Sequence, residues 1–218
     1  MRRRFCFERQ ADVVVTEGRA SMNGKGYSIV FSSRTGNTAE LAEAVRAALP
    51  EGACEHFGSV DGDGNCDCDT GCAGDGDRNG SSFGSNTGAI PASETLFVGF
   101  WTNQGVADQA AQKLLEQLKD RKIFLFGTAG FGGSEAYFQA ILDKTKAFID
   151  DSNAVIGTFM CQGKMPLSVR ERYVKMKEQP DHMPNIDAMI ENFDKALSHP
   201  DAKDLEKLAN AARETIKR

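Results

Sequence analysis

Short, almost wholly apolar runs alternate along this chain with segments whose apolar residues recur every three or four positions. The first run ends in Ile29-Val30-Phe31 and passes through a polar loop into a helical pattern, with Leu41, Val45 and Ala48 on one face and Pro50 as its stop. A short β-like piece, Cys54 to Phe57, follows. Thr95 to Trp101 predicts a buried strand opening into the loop Thr102-Asn103-Gln104-Gly105, after which Val106, Ala110, Leu114 and Leu118 mark a helix. Lys122 to Phe126 predicts another strand, which opens into Gly127 to Gly133. Phe138, Ile141, Leu142, Thr145, Phe148 and Ile149 give the next helix face, and Val155 to Met160 a fifth strand. Pro166 to Lys177 reads as the last helix of the sheet, with Val169, Tyr173 and Met176 inward. Two more amphipathic helices carry Ile186, Ile190, Phe193 and Leu197, then Leu205, Leu208, Ala212 and Ile216. Apolar strands alternating with helices imply a parallel sheet covered on both faces. The expected fold is therefore α/β, a doubly wound five-stranded sheet of order 2-1-3-4-5, with its ligand crevice at the carboxyl ends of the strands.

The loop after the first strand, Ser32-Ser33-Arg34-Thr35-Gly36-Asn37-Thr38, has the chemistry of an anion cradle. Amides at a helix start lack intrahelical partners and carry the positive end of the helix dipole, so they attract phosphate without a lysine. Ser33, Thr35, Asn37 and Thr38 add side-chain donors, and Gly36 lets the backbone approach phosphate oxygens. The Gly-Lys-Ser/Thr of a nucleotide-hydrolysing loop and the Gly-x-Gly-x-x-Gly of a dinucleotide fold are both missing, which favours a mononucleotide monophosphate. An ordinary helix cap is the plainer reading of the same residues. The second and third loops present Trp101 and Phe131, flat groups suited to stacking on a ring system, or else simple core aromatics.

Residues Ser33 to Thr38 match the form Ser/Thr-x-Thr-Gly-x-Thr, and in this the chain resembles the flavodoxin family over roughly residues 27–178. The resemblance implies bound FMN. It carries phosphate contacts to Ser33, Arg34, Thr35, Gly36, Asn37 and Thr38. Contacts to the isoalloxazine ring carry over to Trp101, Thr102, Asn103 and Gly105 and to Thr128, Ala129, Gly130, Phe131, Gly132 and Gly133. Three stretches, Gly99 to Thr102, Phe126 to Glu135 and Gly157 to Pro166, are similar to flavodoxin-like proteins of anaerobic bacteria, some encoded beside bilirubin reductase. The implied function is electron transfer, with a reductase as redox partner. An FMN-dependent NAD(P)H:quinone oxidoreductase on the same fold is one alternative, and a non-redox binding module without flavin another.

Charge and cysteine content refine this picture. The formal charge of −5 over 218 residues arises within residues 59–93, where six aspartates face Arg78 alone. The remainder is neutral, which argues against nucleic-acid binding, since that requires clustered Lys and Arg. Residues 59–93 are rich in Gly, Asp, Ser and Asn without helical period and read as an inserted acidic loop. Asp61-Gly62-Asp63-Gly64-Asn65 resembles the opening of a calcium loop, but Cys66 and Cys72 stand where Gly and Glu belong. Cys66, Cys68 and Cys72 have irregular spacing for zinc or an iron–sulfur cluster, so free thiols and no metal are expected.

Six cysteines without a secretion signal suggest a reducing cytoplasm, and no run reaches the ~20 apolar residues that would span a membrane. Residues 1–26 read as a disordered N-terminal extension, with Met22 a candidate natural start, and residues 179–218 as a C-terminal helical extension. The apolar stripes of that extension pack on the body or mediate self-association. His56, His182 and His199 lie in no triad wording and read as surface or turn residues. Cys161 follows a buried strand, where an inert thiol is the default and redox contact stays open.

Overall fold

A computed structural model describes residues 26–60 and 90–217. The expectations for residues 1–25 and for most of the acidic loop, including its calcium-like and cysteine motifs, fall outside these described residues. The strands are β1 (Tyr27–Phe31), β2 (Cys54–Ser59), β3 (Thr95–Asn103), β4 (Val106–Ala107), β5 (Lys122–Ala129) and β6 (Ala154–Gln162). The helices are α1 (Asn37–Ala48), α2 (Gln109–Gln117), α3 (Glu135–Lys146), α4 (Leu167–Lys177), α5 (Ile186–Ala196) and α6 (Ala202–Ile216). The long strands are parallel in the order β2-β1-β3-β5-β6, and β4 is a two-residue antiparallel addition to β3. Leaving β4 aside, this is the doubly wound order expected, with the switch in direction between β1 and β3.

Side chains alternate across the pleat and build two cores. Val30, Leu96, Val98, Phe100, Ile123 and Leu125 face α2 and α3. Tyr27, Ile29, Phe31, Phe97, Phe124 and Phe126 face the other way, onto Leu41, Ala42 and Val45 of α1 and onto Leu208 and Ala212 of α6. Pairing keeps the strand ends in step, with Phe31 opposite Gly99 and Gly99 opposite Phe126. Gly99 must be glycine, since a Cβ there would lie 2.6 Å from the Phe126 ring and 2.7 Å from Phe31.

Three expectations are corrected. The second helix does not begin near Val106: Gln104 (φ 51°) and Gly105 (φ 81°) form a two-residue reversal, so Thr102 pairs with Ala107 and Asn103 with Val106. The helix starts only after Asp108, whose carboxylate accepts from the amides of Ala110 and Ala111. The third loop is shorter than expected, because Gly127, Thr128 and Ala129 continue β5. The last helix on the sheet is α6, not the helix at residues 167–177. α4 has no buried residue and packs with α5, where Arg170 pairs with Asp194 and Lys177 with Asp187. α6 instead lies beside α1 against β6, begun by a capping box between Asp201 and Asp204. α6, beyond residue 178, thus completes the sheet's second face.

Candidate functional site

The carboxyl ends of β1, β3, β5 and β6 gather four connections at one edge. The first, residues 32–36, leaves β1 and turns into α1 at Gly36, which has φ 84° and no side chain to cap the helix. Its base is anchored by two bonds from Ser32: the amide donates to the Gly99 carbonyl at 3.0 Å and the buried hydroxyl to the Asp108 carboxylate. Asp108 is only 3% exposed, and its amide donates to the Trp101 carbonyl at 3.0 Å. One buried carboxylate therefore ties the first loop to the hairpin that follows β3.

The hydroxyl and amide groups of the first loop divide into outward and inward sets. Arg34, Thr35 and Gly36 are exposed, and the Arg34 guanidinium sits 5.5 Å from the centroid of the Trp101 ring. Ser33 Oγ accepts from the Ala39 amide at 3.2 Å. Asn37 is 5% exposed; its Nδ2 donates to Thr35 Oγ1 at 2.9 Å and to the Lys164 carbonyl at 2.8 Å, while its Oδ1 is buried without a partner. Thr38 faces inward, with Oγ1 donating to the Phe100 carbonyl at 3.3 Å and lying 3.2 Å from Thr128 Oγ1. Among the described residues, Thr102 Oγ1 is the other buried side-chain polar atom without a partner. Buried polar atoms are nearly always satisfied, so each of these two oxygens is open to a further hydrogen-bond partner.

The predicted site residues do not all converge. The first loop meets Trp101 through Arg34 and Thr128 through Thr38, and Thr102 follows Trp101 on β3. Thr128 and Ala129 are buried within β5, so their side chains belong to the strand. Asn103 is exposed in the hairpin, and Gly105 lies at its turn, where a Cβ would be 3.8 Å from Lys144 of α3. In the third loop Phe131 is 43% exposed, with Tyr137 edge-on at 6.5 Å, while Gly132 and Gly133 have φ of 106° and 75°.

Sequence reasoning missed the connection after β6 and one residue of α5. A Cβ on Gly163 would lie 2.6 Å from Asn37 Nδ2, so Gly163 and Lys164 close directly over the first loop. The same rule that gathers ligand loops at strand carboxyl ends would have pointed to them. Asn192 of α5 binds the third loop and has no local signal in sequence.

Burial, reinforced by the carboxylates of Asp204, Asp201 and Glu40, pushes the Cys161 thiol up, which keeps it protonated and unreactive. His199 Nδ1 lies 2.5 Å from Asp204 Oδ2 beside Asp201, but the capping bonds account for those carboxylates. His56 lies within β2 rather than on a turn.

The described residues form a doubly wound α/β protein whose first strand-to-helix loop and Trp101 meet at the carboxyl ends of the strands. The family described as "Flavodoxin domain" matches residues 82–213. A flavodoxin-like domain-containing protein BilS from Clostridium symbiosum (strain WAL-14163) is 36% identical over 187 residues, covering 82% of this chain and 90% of the relative. Its namesake in Clostridioides difficile (strain CD3) is 32% identical over 113 residues, 51% of this chain and 64% of its own. A flavoprotein from Lactobacillus acidophilus NCFM, solved in complex with FMN, aligns at TM-score 0.44 and 16% identity over 63% of this chain and 93% of its own. The chain belongs to the flavodoxin domain family.

Proposed function

We propose that the chain binds FMN in this crevice and serves as an electron carrier. The observation that carries the reading is the meeting of the first loop with Trp101 through Arg34, together with the buried, unpartnered Asn37 Oδ1 and Thr102 Oγ1. FMN supplies the groups that such a site lacks: a phosphate for helix-start amides, ribityl hydroxyls for orphaned oxygens and a flat ring for aromatics. Ser33, Arg34, Thr35, Gly36 and the amides of Asn37 and Thr38 would hold the phosphate, with the Arg34 charge adding to the helix dipole. Trp101, Phe131 and the Gly130–Gly133 turn would flank the ring. When bound, the flavin supplies one- and two-electron chemistry. The protein's part is to orient it and to set how well negative charge is tolerated beside it.

The partner is proposed to be a reductase, in line with the likeness to flavodoxin-like proteins encoded beside bilirubin reductase. Among the described residues no helix is long and apolar enough to cross a membrane. Purified protein should be yellow and yield FMN rather than FAD on extraction. Stoichiometric FAD, or no flavin after incubation with FMN, overturns the reading. Slow NAD(P)H oxidation alone, accelerated by a reductase, identifies a carrier; rapid turnover of a quinone without a partner identifies an oxidoreductase instead.

A further inference from the structure

The third loop, Gly130 to Gly133, combines an exposed aromatic with two successive glycines at positive φ, a combination that free chain would populate weakly. Tyr137 limits Gly132, where a Cβ would lie 2.1 Å from its ring, and Gln162 limits Gly133, where a Cβ would lie 3.1 Å from Oε1. These contacts exclude larger residues but do not bind the peptide groups. Asn192 binds them. Its Nδ2 donates to the Gly130 carbonyl at 3.0 Å, and its Oδ1 accepts from the Gly132 amide at 3.3 Å and from Gln162 Nε2 at 3.1 Å. One amide side chain thus engages a carbonyl and an N–H two residues apart, as a strand partner would, and fastens to the end of β6 as well. Asn192 is held in turn by α5, whose buried Ile186, Phe193 and Ala196 fix the helix.

We propose that Asn192 is a positioning residue that holds the third loop in its ligand-ready shape, so that α5 controls the flavin site through this single side chain. The inference rests on the FMN reading for its effect on ligand, but the loop-holding itself does not. With the Gly130 carbonyl and Gly132 amide both turned to Asn192, neither competes for the ring edge, and the loop's ordering cost falls on folding rather than on binding.

The test compares wild-type full-length protein with Asn192→Ala and Asn192→Asp. Ala favours helix more than Asn does, so α5 should persist in the first variant. In flavin-free protein, amide order parameters measured by NMR at Gly132 and Gly133 should fall from about 0.85 toward about 0.6 in Asn192→Ala, with Val98 and Leu125 unchanged. FMN should bind that variant roughly tenfold more weakly, as expected for losing two hydrogen bonds that order the loop. Asn192→Asp keeps the acceptor for Gly132 and Gln162 but loses the donor to Gly130. Its carboxylate oxygen then faces the Gly130 carbonyl with no proton between them, so the order parameters at Gly132 and Gly133 should fall partway toward those of Asn192→Ala. Unchanged order parameters in Asn192→Ala overturn the inference, as does a disordered loop with wild-type FMN affinity. A wild-type protein that binds no FMN overturns the functional reading instead, and the order parameters then decide the loop-holding role alone.

Discussion

At the scale of single residues, Asp108 does the most with the least visibility. Its carboxylate accepts from the Ser32 hydroxyl and from two helix-start amides, all in a site 3% exposed. Asp108→Ala removes a cap and leaves buried donors unmet, which should cost about 3 kcal/mol in urea unfolding of flavin-free protein. Thr35 and Thr38 look equivalent in sequence but stand differently. Thr35 is exposed and accepts one bond from Asn37, so Thr35→Ala should cost less stability than Thr38→Ala and weaken FMN binding about tenfold, as read by fluorescence titration. Thr38 bridges the Phe100 carbonyl and Thr128, so Thr38→Ala should lower stability as well. Cys161 supplies a pH dependence. Its thiol is raised above the ordinary 9.0 by burial, so the folded state keeps a proton that the unfolded chain loses once pH passes about that value. Stability is then full below pH 9.0 and declines as pH rises beyond it. Cys161→Ala should lessen that alkaline decline, leaving the part due to Cys54 and Tyr27, which burial also raises, as measured by unfolding at a series of pH values.

At the scale of elements, the decisive exchange is between α4 and α6. Both carry apolar residues at helical spacing, and the chain order favours α4, which follows β6 directly. α6 wins because Leu208 and Ala212 are wholly buried against α1 and the sheet, whereas Val169, Tyr173 and Met176 are only half covered by α5. Leu208→Ala should therefore cost about 2–5 kcal/mol, as a cavity in a packed core does. A Val169→Ala change at its half-exposed position should cost less than half as much. Equal losses, measured by thermal or urea unfolding, would show that α6 is not part of the core. The α4–α5 pair stands between β6 and α6 and brings Asn192 to the third loop, so an insertion of helices became a support for the site.

At the scale of the whole molecule, every residue proposed to touch the ligand lies within 26–60 or 90–217, and the net charge of −5 lies in residues 59–93. Replacing residues 62–85 by a short Gly/Ser linker should leave FMN affinity and melting temperature nearly unchanged, because halving a loop alters closure entropy by only about 0.6 kcal/mol. Electron transfer to a basic partner should slow, with a weaker salt dependence, since the excised aspartates carry the charge that steers it. The sequence by itself indicated the long strands, their parallel character and the first loop, because near-continuous apolar runs and a polar strand-to-helix junction are local signals that no distant contact need supply. The hairpin at Gln104-Gly105 was partly legible, but only pairing of Thr102 with Ala107 distinguishes it from an open loop. Tertiary structure alone decided the rest: which amphipathic helix covers the second face, that Gly163 and Lys164 close over Asn37, and that Asn192 reaches Gly130 across 62 residues of chain. These depend on competition for the same buried surface and on backbone groups meeting over long separations. Neither leaves a mark on spacing or composition.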